Sequence, residues 1–202
     1  MARYTGPRNK VARRLGADLG LKTNPKSLER RINTPPGQHG RKGTRKMSDY
    51  GIQLAEKQKA KNTYGVLERQ FKKYYTIASR TPQATGAVLL ALLERRLDNV
   101  VYRLGFAPTR RAARQLVTHG NVLVNNKKLS IPSYCVTVDE LVSISKKASN
   151  IPYIKELLAN KEYQIPKWLD RKALVGKVRR LPERDDTQEN IQEQLIVEFY
   201  SR

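Results

Sequence analysis

Between Leu89 and Leu104 apolar residues return at helical spacing, at Leu89, Leu93, Leu97, Val100, Val101 and Leu104, and Gly105 closes the run. After Phe106-Ala107-Pro108, Thr109 is a natural N-cap for a second, shorter helix that Gly120 terminates. On that helix Ala113, Leu116 and Val117 share an inward side. Val122-Leu123-Val124, Asn125-Asn126 and Lys127-Lys128-Leu129 then read as strand, tight turn and strand, because asparagine tolerates the left-handed backbone of a hairpin turn. Val136, Val138, Leu141, Val142 and Ile144 add strand material around Asp139-Glu140. This succession predicts two packed helices against a small, mostly antiparallel sheet, starting near residue 88.

The polar faces of this module are arginine-rich. Arg96, Asn99 and Arg103 lie three and four apart, with Arg95 beside them. Arg110, Arg111 and Arg114 are expected to turn outward, since no carboxylate lies within their helix to pair with them. A rigid apolar scaffold presenting arginines suits structured RNA, which proteins read through phosphates and 2′-hydroxyls, and the planar guanidinium matches phosphate oxygens.

Charge over the whole chain points the same way. Of 202 residues, 40 are Lys or Arg and 18 Asp or Glu, a net of +22. Such a body gains most by meeting a polyanion. An anionic membrane would also qualify, but no run of about 20 apolar residues is present. The opening residues also lack the apolar run of a secretory signal, so a cytoplasmic protein is expected. Residues 1–80 hold 20 Lys/Arg against 5 Asp/Glu. The first part is therefore expected to meet the partner most heavily.

Within it, residues 1–46 have many prolines and glycines and few apolar residues at a steady period, which predicts a basic extended arm that orders on RNA. In the stretch Thr34-Pro35-Pro36-Gly37-Gln38-His39-Gly40-Arg41, bare glycine backbone could approach phosphates. Ser48 can cap a helix running through Tyr50, Leu54, Lys57 and Lys61. A second helix carries Leu67, Phe71, Tyr74 and Ala78 as a core stripe, leaving Arg69, Lys72, Lys73 and Arg80 to face outward. Residues 81–86 read as a linker.

Leu93-Glu94-Arg95-Arg96-Leu97-Asp98-Asn99-Val100-Val101-Tyr102-Arg103-Leu104-Gly105, then Ala113-Arg114-Gln115-Leu116-Val117, His119-Gly120, Val124-Asn125 and Ile131-Pro132-Ser133-Tyr134, closely resemble the RNA-binding module of the family of bacterial small-subunit ribosomal protein number four. Some RNA-modifying enzymes carry versions of that module, so the flanks decide. Ala2-Arg3-Tyr4-Thr5-Gly6-Pro7-Arg8, Pro35-Pro36-Gly37-Gln38-His39-Gly40, Ser48-Asp49-Tyr50-Gly51, Tyr64-Gly65-Val66-Leu67-Glu68-Arg69-Gln70-Phe71 and the ending Glu193 to Arg202 resemble the ribosomal family and not the enzymes.

The resemblance implies a structural constituent of the small subunit that binds its ribosomal RNA directly, nucleates assembly of the subunit body and contributes to translational accuracy. It further implies contact with neighbouring small-subunit protein five, a cytoplasmic, ribosomal location and, in some bacteria, binding to the chain's own messenger RNA. The expected RNA-binding residues are Arg3, Tyr4, Arg8, Arg13, Arg14, Gln38, His39, Arg41, Lys57, Arg69, Lys72, Lys73, Arg95, Arg96, Arg103, Arg110, Arg111, Arg114, His119, Asn125, Lys127, Lys128 and Ser133. Many members of the family bind zinc through four cysteines in the arm; here Asn9 and Ala12 stand where the first pair would fall, and Cys135 is the single cysteine. A zinc-free arm is expected, with no metal or other cofactor.

The fold class expected is α+β, mainly helical. Residues 1–46 form the arm, 47–87 with 180–202 a helical domain, and 88–179 the RNA-binding module with a following helical or extended segment, its core at 92–150. The acidic tail is expected to fold back beside the first helices, burying Leu195, Val197 and Phe199 or their alternates and offering Glu189 and Glu193 to a neighbouring protein. Catalysis finds no footing. His39 and His119 sit in no metal-ligand or nucleophile motif, Glu94 and Asp98 lie among arginines as structural ion pairs, and Cys135 sits among apolar residues. No enzyme is expected.

Overall fold

The computed structural model describes residues 3–42, 46–159, 163–187 and 189–201, with the backbone alone at 41 and 42. In chain order it contains α1 (Arg8–Leu15), α2 (Lys26–Glu29), a 3-10 turn (Gln38–Lys42), α3 (Asp49–Thr63), α4 (Glu68–Ser79), α5 (Thr85–Glu94), α6 (Leu97–Arg103) and α7 (Arg110–Thr118). There follow β1 (Val122–Val124), β2 (Lys127–Lys128), β3 (Leu141–Ile144), α8 (Pro152–Ala159), β4 (Leu169–Lys172), β5 (Val175–Val178) and α9 (Glu193–Tyr200). The residues fall into two units, one comprising the chain up to Leu89 together with the segment from Glu189 onward, the other beginning at Leu90.

In the first unit, the arm is less extended than its composition suggests, because α1 and α2 form within it. Its buried apolar residues are Ala12, Leu19 and Leu28. What fastens it is arginine on backbone carbonyls: Arg8 Nη1 donates to Leu21 O at 2.8 Å, and Arg13 Nε and Nη2 donate to Thr34 O and Pro35 O at 2.9 and 3.1 Å. The bare side of Gly40 is spent inside the arm, since a Cβ there would lie 1.9 Å from Pro35 O. Further along, the Ser48 hydroxyl accepts the Gly51 N–H and starts α3 as its cap. The tail does return to these helices, α9 packing along α3 with Ile196 fully buried, while Leu195, Val197 and Phe199 are half-buried.

The second unit holds the larger core. The predicted long helix from residue 88 is two helices, α5 and α6, because Arg96 leaves the helical path with ψ 136°. It does so to pair with a distant strand segment: Arg96 bridges Cys135, Leu97 N donates to Tyr134 O, and Val136 N donates to Arg95 O. Thr109 caps α7 by accepting from Ala112 N, and Gly105 and Gly120 end their helices at φ 72° and 66°. Asn125 and Asn126 both take positive φ, 48° and 64°, in the two-residue turn joining β1 to β2.

The sheet is antiparallel throughout, in the order β2-β1-β3-β5-β4. Val136 and Val138 lie outside the strands, whereas β4 and β5 complete the sheet from residues with no strand expectation. Leu97, Val100, Val101 and Leu104 of α6 and Ala113, Leu116 and Val117 of α7 pack with Val122, Val142, Ile144, Trp168 and Val178. Each fully buried side chain of this size contributes about 1.5–3 kcal/mol. The mainly helical α+β architecture is thus present, with α6 and α7 packed on the sheet.

Candidate nucleic-acid interface

The arginines of the second unit do not form one outward face. Glu94, itself fully buried, accepts Arg103 Nε and Nη2 at 3.0 and 2.8 Å and Asn99 Nδ2 at 2.7 Å. Asn99 Oδ1 in turn accepts Arg110 Nε at 2.8 Å, and the Arg110 guanidinium lies 4.6 Å from the centre of the Tyr102 ring. Asp98 takes Arg96 through Nε and Nη2 at 3.1 and 2.9 Å, Arg114 through Nε at 2.7 Å, and the Asn99 backbone N–H at 3.0 Å. Glu94 and Asp98 are therefore structural ion pairs, and every charge among them is answered.

This corrects the expected outward arginine face. Arg96, Arg103 and Arg110 are buried, and Arg114 is half-buried against Asp98. No carboxylate lies within α7, but Asp98 of α6 supplies one to Arg114, and Asn99 of α6 accepts Arg110. Arg95 is half-buried with Nε donating to Val136 O, Arg111 is half-buried, and Ser133 is half-buried with its carbonyl accepting the Cys135 thiol at 3.9 Å. Burial pushes the Cys135 thiol above its ordinary range, the condition of an unreactive cysteine.

Exposed cations instead gather at the hairpin. Lys127 and Lys128 project from β2, His119 stands exposed beyond α7, and Asn125 is exposed with Oδ1 accepting Leu141 N at 2.9 Å. The Lys128 side chain runs over Gly120, where a Cβ would sit 2.1 Å from Cε. The hairpin turn, the glycine-ended helix and the lysines are thereby held together on one structured edge.

In the first unit Arg3, Tyr4, Arg14, Gln38, His39, Arg69, Lys72 and Lys73 are exposed. Arg8 and Arg13 are half-buried on the carbonyls named above, and the Arg41 side chain lies outside the described residues. Lys57 does not face outward with them. It is buried, pairs with Glu68 Oε1 at 2.9 Å and sits 4.4 Å from the centre of the Phe199 ring, so its charge is used to hold α9 down. Glu189 and Glu193 are half-buried, and the Glu193 stem lies against Gly86, where a Cβ would meet Cγ at 2.5 Å.

Sequence reasoning passed over one feature of the arm. Asn9, Arg13, Ser27, Arg30 and Arg31 line a pocket of about 360 Å³. The sequence signal is only the recurrence of arginine at positions 13, 30 and 31 in a basic arm. These residues do not fit zinc: Ala12 is buried, and the Asn9 amide is engaged with Ser27 Oγ at 3.3 Å. Among the described residues no three His, Cys, Asp or Glu side chains gather as metal ligands, and no helix is long and apolar enough to cross a membrane.

The profile of the ribosomal protein S4/S9 N-terminal domain matches residues 3–94, and that of the S4 domain matches residues 95–142. The chain belongs to the ribosomal protein S4/S9 family. Among its curated relatives, "Small ribosomal subunit protein uS4" of Aquifex aeolicus is 54% identical over 217 residues, and those of Herpetosiphon aurantiacus and Akkermansia muciniphila are each 52% identical, in every case across 100% of both chains. Like the rest of the S4/S9 family, the chain is a structural protein and not an enzyme. The S4-domain match begins at Arg95, where the helix breaks, and ends within β3 at Val142.

Proposed function

We propose that the chain is a structural constituent of the small ribosomal subunit, binds small-subunit ribosomal RNA directly in the cytoplasm, nucleates assembly of the subunit body and contributes to translational accuracy. The observation that carries this reading is the division of charge in the S4 domain. Its two central carboxylates are buried and satisfied by arginines, while Lys127, Lys128 and His119 remain at the surface. A module that neutralises its acids internally offers RNA a positive surface with little local repulsion.

The RNA contacts best supported are the exposed residues at the hairpin and its neighbourhood, Lys127, Lys128, His119 and Asn125, and in the first unit Arg3, Tyr4, Arg14, Gln38, His39, Arg69, Lys72 and Lys73. Small-subunit protein five is a proposed neighbour, Glu189 and Glu193 are proposed to meet a neighbouring protein, and the chain's own messenger RNA is a proposed second ligand. The deciding experiment is sedimentation of cell extract containing the tagged protein. Co-migration with small subunits is expected; a protein found only at the top of the gradient would sink the reading.

A further inference from the structure

The pocket between α1 and the α2 turn gathers arginines with no acidic side chain in its lining. Of its five lining residues three are arginines and none is acidic. Among the described residues Arg13, Arg30 and Arg31 make no ion pair, and Arg13 is held in place by two neutral carbonyls, which fix its guanidinium and leave its charge whole. Arg30 and Arg31, which also line it, are exposed. Three like charges around one concavity repel each other, and an anion between them relieves that repulsion. Ser27 accepts from the Asn9 amide through Oγ, so its hydroxyl proton remains available to donate into the same space. Asn9 Oδ1 is buried with no hydrogen-bond partner, a polar atom left over in the lining of the pocket.

Three planar guanidinium forks, a hydroxyl donor and no carboxylate in the lining make a site for a tetrahedral oxyanion. We propose that the pocket is a phosphate-binding site that seats one backbone phosphate of the RNA, with Arg13 as its fixed wall and Arg30 and Arg31 closing on the phosphate from the solvent side. This rests on the RNA-binding reading above and deepens it. A cluster that merely attracts RNA through space depends on charge alone, whereas a seat for one phosphate depends on the guanidinium shape.

The test uses the full chain and a labelled fragment of small-subunit ribosomal RNA, with affinity measured as a function of salt. Arg30→Ala combined with Arg31→Ala is expected to flatten the log–log salt dependence by roughly 0.7 to 0.9, one phosphate contact. Arg30→Lys combined with Arg31→Lys keeps both charges but loses the fork, and is expected to weaken binding roughly tenfold at fixed salt, the loss of one charge-assisted hydrogen bond. All four side-chain changes are at exposed positions, and an unchanged melting temperature checks that the fold is intact. Wild-type affinity in the lysine pair overturns the pocket while leaving the RNA-binding reading standing. Failure of the wild-type chain to bind the fragment sinks that reading itself. Inorganic phosphate separates the two sources of the anion: if the alanine pair loses the rise in melting temperature that millimolar phosphate gives the wild-type chain, yet binds RNA with wild-type affinity and salt dependence, the site belongs to free phosphate and its assignment to RNA is overturned.

Discussion

The Tyr200 hydroxyl donates to Glu68 Oε1 at 2.7 Å, tying the last turn of α9 to the first turn of α4. The same carboxylate accepts Lys57 at 2.9 Å and Lys61 at 3.2 Å from α3, so three helices meet on one side chain. Tyr200 stacks on Tyr75 with ring centres 4.5 Å apart, and Phe199 lies under the Lys57 ammonium. The tail is thus held by an ion-pair and aromatic cluster of the kind that gives each partner a reason to stay put.

Acid should release this cluster. Burial alone would raise the Glu68 carboxyl, but Tyr200, Lys57 and Lys61 together hold it down to about 2 against an ordinary 4.5. Because the folded value is depressed, its stabilisation is complete above about pH 4.5 and is lost as pH falls toward 2. Water reaches 44% of the side chain, so the contribution is about 1 kcal/mol after screening. Thermal unfolding of the wild type and Glu68→Gln should show a gap in melting temperature that narrows across that window. A gap independent of pH would mean that the carboxylate's charge contributes nothing.

The buried network of the S4 domain should respond differently from surface pairs. Asp98→Ala leaves the buried Arg96 and the half-buried Arg114 without their carboxylate, and is expected to cost about 3–5 kcal/mol. Lys177→Ala breaks the exposed 2.8 Å pair with Asp139 and should change stability by less than about 1 kcal/mol. Denaturant unfolding of both variants checks the ordering; similar small effects would show that the Asp98 cluster is not a structural centre.

How far the sequence could be read depended on the range of the interactions involved. The Thr109 cap, the glycines that end α6 and α7, and the Asn125-Asn126 turn are set by residues within a few positions of each other, and each was legible. The break at Arg96 was not, because its cause is a backbone pairing with Cys135, while Leu93 and Leu97 keep the helical spacing across the break. For the same reason the arginine face was misread: α7 contains no acid, and only the packing of α6 against it brings Asp98 to Arg114. Strands β4 and β5 escaped notice because each is four residues long and carries lysine or arginine, with its apolar partners supplied by the sheet.

That misreading changes which substitutions report on RNA. Lys127→Ala and Lys128→Ala remove exposed charges from the hairpin, and each is expected to flatten the salt dependence of RNA affinity by roughly 0.7 to 0.9 while leaving the melting temperature nearly unchanged. Arg110→Ala removes a buried guanidinium from Asn99 and the Tyr102 ring, and should lower the melting temperature first. Salt titrations paired with melting curves separate the two. An unchanged slope in both lysine variants would remove the hairpin from the interface.

The hairpin turn itself offers a gain of stability. Asn126 sits at φ 64°, a left-handed conformation that glycine adopts without strain and that favours an Asn-Gly pair in a two-residue turn. Its side chain is exposed, so Asn126→Gly removes no buried contact. The substitution is expected to stabilise the chain by about 0.5 kcal/mol, the relief of left-handed strain outweighing the extra freedom of glycine in the unfolded state. Asn126→Ala should act in the opposite direction, because alanine meets the same φ without asparagine's local hydrogen bonding. Equilibrium unfolding of the pair measures the sign directly. Should glycine destabilise as much as alanine, the Asn126 side chain, and not its backbone angle, would be what the turn needs.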